Sequence, residues 1–206
     1  MNTKIEKVLK RIERQEKLEQ ENPSKVPNSE KVLAIGRDTG IFYNILLQTN
    51  QAKNVLEIGM STGYSTLWFA DAISKRGGKI VTIDHDKKKI KRAKKNFEDA
   101  GVLELIKIHH GNALEVISAI KENLHSKEHF DFIFIDADKE RYIQYFDSVF
   151  PILKKGGLIG ADNILFPERF RKFTKPYVLH VRKNPLVKSV TIPIDNGEEL
   201  SLKLKN

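Results

Sequence analysis

The chain has 206 residues, enough for one domain with a real core and too few for two large ones. With 40% hydrophobic and 31% charged residues and no apolar run near the length of a bilayer span, a disordered or membrane-spanning chain is excluded. The absence of cysteine removes disulfides, thiolate nucleophiles and cysteine-based zinc sites, while the net charge of +9 leaves open an anionic partner such as RNA, against the blander reading of a solvated lysine surface.

Residues 4–20 place Ile5, Val8, Leu9, Ile12 and Leu18 near helical spacing among charges, which predicts an amphipathic helix and lacks the continuous apolar core of a signal peptide; the expected compartment is the cytoplasm. Pro23 and Pro27 break this helix. A second helix is expected from about Ser29 to Gly36 and a third over Asp38 to Thr49. Strand and helix then alternate: strands over 54–59, 79–84, 106–111, 130–136 and 156–162, helices over 64–74, 87–100, 113–124 and 140–153. Such alternation predicts right-handed crossovers and a parallel sheet covered on both faces. The tail, residues 189–204, carries two alternating runs around Asn196-Gly197, the signal of an antiparallel hairpin.

Ligands of open α/β sheets bind beyond the carboxyl ends of the strands. "LEIGMSTGYS" (56–65) stands there after the first strand. Gly59 and Gly63 permit close backbone approach and the next helix offers free amides, yet the spacing lacks the dinucleotide fingerprint, so a plain tight strand-to-helix turn is the competing reading. Asp84 ends the second strand, where it either accepts ribose hydroxyls or caps the following helix.

The ordered set E-I-G-x-x-x-G-Y-S, the acid at the end of the second strand, D-A-D-K and A-D-N resembles the metal-dependent class I S-adenosylmethionine O-methyltransferases, the group of catechol and caffeoyl-CoA O-methyltransferases. The resemblance runs from about Val32 to Lys205. It implies a Rossmann-like, doubly wound, mostly parallel seven-stranded sheet with an antiparallel C-terminal hairpin, residues 38–206 forming the methyltransferase domain and residues 1–37 an N-terminal helical cap region. Carried over residue by residue, it implies that Glu57, Gly59 and the loop Met60, Ser61, Gly63, Tyr64 and Ser65 hold the methionine part of S-adenosylmethionine, with Ser65 near its carboxylate. Asp84 would hold the ribose, and His85, Gly111, Asn112 and Ala113 would border the adenine; many relatives have an acid where Asn112 stands.

Asp136, Asp162 and Asn163 end two strands that are neighbours in the family, and the resemblance brings their oxygens together as a site for Mg²⁺ or another hard divalent cation. Lys139 would then take the proton of an acceptor hydroxyl, with Asp136 also near the methyl donor. Asp162 and Asp136 acting as mere caps is the competing reading, and Asp138 is given the cap of the next helix. "HSKEH" (125–129) matches an inverted zincin pattern outside a helix and is set aside, and His109 and His110 are expected to line the cofactor edge or cap the turn, not to bind metal. The basic run 87–97 reads as a solvated face over buried Ile90, Ala93 and Phe97. The expected acceptor is a small molecule with vicinal hydroxyls such as a catechol; the alternative is tRNA, because some bacterial relatives methylate a wobble uridine. The loop 164–173 and the N-terminal helices should cover the acceptor pocket and set its specificity, with Arg169 open between meeting an acidic acceptor and remaining a surface charge. Dimerisation through the amphipathic N-terminus is a further expectation drawn from relatives.

Overall fold

The structure, a computed structural model, describes residues 2–21, 26–27, 31–124 and 129–205. Among these, strands β1 (Asn54–Ile58), β2 (Lys79–Asp84), β3 (Ile106–His110), β4 (Phe130–Ile135), β5 (Leu153–Ala161), β6 (Val187–Ile192) and β7 (Glu198–Lys203) form one seven-stranded sheet ordered β3-β2-β1-β4-β5-β7-β6. The first five run parallel; β7 lies antiparallel between β5 and β6. The helices are α1 (Thr3–Glu21), α2 (Arg37–Thr49), α3 (Tyr64–Ile73), α4 (Lys87–Ala100), α5 (Ala113–Asn123), α6 (Tyr142–Val149) and α7 (Arg171–Lys183).

The pleat sends alternate residues of the central strands to opposite faces. Val55, Phe132 and Phe134 join a core with α1 to α4, whereas Leu56, Ile58, Ile133 and Ile135 join a second core with α5 to α7. Both faces of β1 and β4 are therefore dry, which is why these strands read as nearly continuous apolar runs. Fully burying each such side chain stabilises the fold by about 1.5–3 kcal/mol. On the first face Tyr43, Phe69, Phe132 and Phe134 pack ring against ring, with Tyr43 and Phe134 centred 5.1 Å apart. In α4 the buried positions are Ile90, Ala93, Asn96, Phe97 and Ala100, so its lysines face water as expected. No helix among the described residues is long and apolar enough to cross a membrane.

Two local expectations are corrected and one helix is added. The described part of the helix expected over 29–36, residues 31–36, is an irregular strap. Its amides donate to carboxylates of α1 instead of to carbonyls four residues back: Val32 N to Glu19 Oε2 at 2.8 Å and Ala34 N to Glu16 Oε1 at 3.4 Å, with Leu33 at φ +49°. Helix α7 has no clear signal in the sequence, because Pro176 and dense basic residues obscure its stripe of Thr174, Tyr177 and Val181. The hairpin forms, but residues 193–197 connect its strands, because Asp195 and Asn196 are engaged by other parts of the chain. Most of "HSKEH" lies outside the described residues.

Candidate active site

A cleft of about 1010 Å³ opens beyond the carboxyl ends of β1, β2, β4 and β5. It straddles the gap between β1 and β4, where the strand order reverses. Gly59 is the first residue past β1, at φ +91°, and a Cβ there would lie 2.1 Å from the Asp136 carbonyl oxygen. The left-handed backbone and the crossing chain both require glycine. Gly59→Ala is expected to lower stability by about 2 kcal/mol or more, read as a lower melting temperature. Gly63, at φ +85°, presses on the Phe97 ring and starts α3 without a side-chain cap, so first-turn amides remain for an anionic ligand group.

Glu57 is fully buried under this loop and is not on the cleft wall. It accepts hydrogen bonds from the hydroxyls of Ser65, Thr66 and Thr82, the last two at 2.6 Å. Burial nonetheless pushes its pKa up to about 7, with the charge of Asp136 adding to the shift. Met60, Tyr64 and Ser65 line a narrow recess beside the cleft, together with Gly59, Ser61 and Asp136.

At the β2 end, Asp84 accepts from Ser61 N at 2.8 Å and from Asp86 N at 2.9 Å. The cap of α4 is Asp86, which accepts from Lys88 N and Lys89 N. Asp84 is thus no helix cap; its carboxylate is fixed by two amides on the wall of the cleft. His85, Gly111, Asn112 and Ala113 continue that wall. Asn112 Oδ1 caps α5 through Leu114 N at 3.0 Å. His109 and His110 do not line the cleft; His110 Nε2 lies 3.2 Å from the His85 carbonyl.

The ends of β4 and β5 are tied across the gap, with Asp136 N donating to Ile58 O and Asp162 N to Ile135 O. Asp136, Asp162 and Asn163 all line the cleft. Asp162 is 3% exposed, and burial, then the charge of Asp136, pushes its pKa up to about 6. Asn163 sits at φ +60°, a left-handed conformation that asparagine tolerates, which turns the chain immediately after Asp162. Lys139 Nζ is 2.7 Å from Asp136 Oδ1 and lies 5.1 Å and 5.9 Å from the ring centres of Tyr142 and Phe170. Asp138 occupies the cap position before Lys139, yet its side chain makes no cap bond and faces Arg141 at 3.5 Å instead. The Tyr142 hydroxyl donates toward the carbonyls of Asp162 and Ile135, at 3.0 and 3.2 Å, a brace that a helical stripe of tyrosines does not announce in sequence. Nor does sequence signal Glu198, fully buried at the start of β7, which accepts from the Tyr43 hydroxyl at 2.6 Å and is pushed well up by burial and by the charge of Asp162. Other wall residues that sequence reasoning passed over are Glu16, Leu33, Lys89, Arg141, Pro167 and Asn196.

Among the described residues no three His, Cys, Asp or Glu side chains gather into a metal cluster. Asp136, Asp162 and Asn163 instead offer two carboxylates and an amide, hard oxygen donors that suit a cation such as Mg²⁺. Asp162 is raised first by burial and then by the charge of Asp136, and a dication held between the two carboxylates offsets both, so the donor set fits one.

A profile of the family described as O-methyltransferase matches residues 10–204. The chain is 38% identical to the catechol O-methyltransferase of Niastella koreensis over 133 residues, which is 65% of this chain and 59% of that protein, less than two thirds of its length. Caffeoyl-CoA O-methyltransferase 5 of Nicotiana tabacum is 33% identical over 188 residues, 84% of this chain and 78% of the relative. The solved O-methyltransferase of Bacillus cereus in complex with SAH superposes with a TM-score of 0.78 at 25% identity, covering 98% of this chain and 91% of that one.

Proposed function

The chain belongs to the O-methyltransferase family, and on that premise we propose that it is an S-adenosylmethionine-dependent, divalent-cation-assisted enzyme methylating a hydroxyl of a small catechol-like acceptor. The observation that carries this reading is the pair of buried Lys139 and half-buried Asp136 on the cleft wall beside Asp162 and Asn163.

S-adenosylmethionine, when bound, supplies a methyl group on a sulfonium. A divalent cation, when bound, lowers the pKa of an acceptor hydroxyl; Asp136, Asp162 and Asn163 are the residues that would hold it. Asp84 keeps a lone pair on each oxygen for ribose hydroxyls, and its two amide partners fix the direction in which it presents them. Asn112 and His85 border the adenine end of the cleft. Lys139 Nζ, in its neutral amine form, takes the proton of the acceptor hydroxyl and becomes the ammonium that pairs with Asp136, screened from water by the Tyr142 and Phe170 rings. The rest of the rate is alignment of nucleophile and methyl by a rigid wall.

Transfer of labelled methyl from S-adenosylmethionine to catechols and to bulk tRNA, with and without a chelator, tests the reading. Label is expected in the catechol and is expected to fall on chelation; label in tRNA alone would overturn the acceptor class. Only the net charge speaks for tRNA.

A further inference from the structure

The cations on the cleft wall are not equivalent. Lys139 is held by Asp136, Arg141 faces Asp138, and Lys89 belongs to the adenosine end, in the first turn that Asp86 caps. Arg169 differs: its guanidinium stacks 4.7 Å from the centre of the Phe170 ring and makes no ion pair or hydrogen bond among the described residues. Glu168, its neighbour in sequence, lies outside the cleft lining. The acidic groups of the wall are engaged elsewhere: Glu16 with the strap, Asp84 and Asp86 with amides past the end of β2, Asp136 with Lys139, Asp138 with Arg141, and Asp162 at the end of β5.

Arg169 is also carried on a braced segment. Ile164 N donates to Gly197 O at 2.9 Å, Leu165 N and Phe166 N both donate to Asn196 O, and Phe170 N donates to Pro167 O at 2.9 Å. A guanidinium held on such a support loses little freedom on meeting a carboxylate, which it can grip with two parallel bonds.

Building on the O-methyl-transfer reading, we infer that Arg169 receives an anionic group of the acceptor, so that the preferred acceptors are hydroxylated aromatic acids with a free carboxylate. The spacing sets their size. The Phe170 ring centre is 5.9 Å from Lys139 Nζ and 4.7 Å from Arg169 Cζ, so the two cations are at most about 11 Å apart. That span accommodates one aromatic ring with a short acid side chain between the methylated hydroxyl and the carboxylate. Esterification of the carboxylate with a long thiol arm removes the charge that Arg169 would meet and places the next anion beyond this reach.

The test compares 3,4-dihydroxyphenylacetate with its uncharged methyl ester, in the wild type and in Arg169→Gln and Arg169→Glu variants with S-adenosylmethionine present. The wild type should favour the acid by about tenfold or more in kcat/KM, carried mainly by KM, as expected for one charge-assisted bidentate contact. In Arg169→Gln that ratio should fall to about one, and in Arg169→Glu it should invert. A wild type indifferent to the charge, or an Arg169→Gln variant that keeps the preference, overturns the assignment. Methylation of neither compound counts against the O-methyl-transfer reading, and calorimetry on the protein loaded with S-adenosylhomocysteine then decides the role of Arg169 alone. Acid binding weakened about tenfold by Arg169→Gln upholds it; equal binding, or none, overturns it.

Discussion

Replacing Lys139 by methionine is expected to lower kcat by about 10²- to 10⁴-fold while S-adenosylhomocysteine binding stays within a few-fold of wild type. Methionine preserves the packing between Tyr142 and Phe170 and leaves the cofactor wall around Asp84 untouched, so the loss isolates the nitrogen. Truncation to alanine is the harsher variant, because it also opens a cavity where the buried lysine stem now lies. Removing Nζ leaves Asp136 without the cation 2.7 Å away and increases the negative charge beside Asp162, so divalent-cation affinity is expected to rise as activity falls. Single-turnover methyl transfer and calorimetric titration with Mg²⁺ read these two effects separately. Full turnover in the Lys139→Met protein would remove lysine from the mechanism.

The second large effect is on stability. Glu57 and Asp162 have pKa values of about 7 and about 6 in the fold, against ordinary values of 4.5 and 3.8. Both bind a proton more tightly folded than unfolded, so each lowers stability as pH rises from its unfolded value through its folded one. At 1.36 kcal/mol per pH unit, each costs on the order of 3 kcal/mol when ionised. Glu198 and Glu16, also raised by burial, act in the same direction. Asp131 and Asp86 are held low by their hydrogen bonds and act below about pH 4, outside this window. Half-buried His109, held low by burial, pulls the other way near neutrality. In cation-free buffer the melting temperature is therefore expected to be about 5–10 °C higher at pH 5.5 than at pH 8.5. Glu57→Gln should flatten the curve, since an amide can still meet the three hydroxyls but does not titrate. Mg²⁺ added at pH 8.5 should restore the part due to Asp162 and none of the part due to Glu57. A melting temperature that rises with pH would contradict these assignments.

The architecture was legible because the strands of a parallel sheet are buried on both faces. "FDFIFI" has little choice but to be a central strand, and Asp136 past its end marks where the sheet meets solvent. The same logic located the cleft. Sequence fell short where a partner is distant in the chain. The strap over 31–36 looked helical because nothing nearby announces that Glu16 and Glu19 will take its amides. The two readings of Asp84 could not be separated until Asp86, two residues on, was seen to cap α4. Nothing in the sequence marks Glu198, and only the fold places it on Tyr43, whose hydroxyl fits because Gly160 leaves the space.

The turn between β6 and β7 grips two segments that differ in everything else. Asp195 Oδ2 accepts from both the amide and the hydroxyl of Thr39, just after the strap that carries Leu33, while Asn196 and Gly197 take the amides of Ile164, Leu165 and Phe166 ahead of Arg169 and Phe170. All of these contacts use main-chain groups or the side chains of Asp195 and Thr39, and none uses the side chains of Leu33, Arg169 or Phe170. Leu33 on one side, and Arg169 and Phe170 on the other, can therefore be exchanged without loosening the common mooring. A descendant of this protein could change its diet one cassette at a time, and a designer could graft either cassette from a relative onto the same anchor.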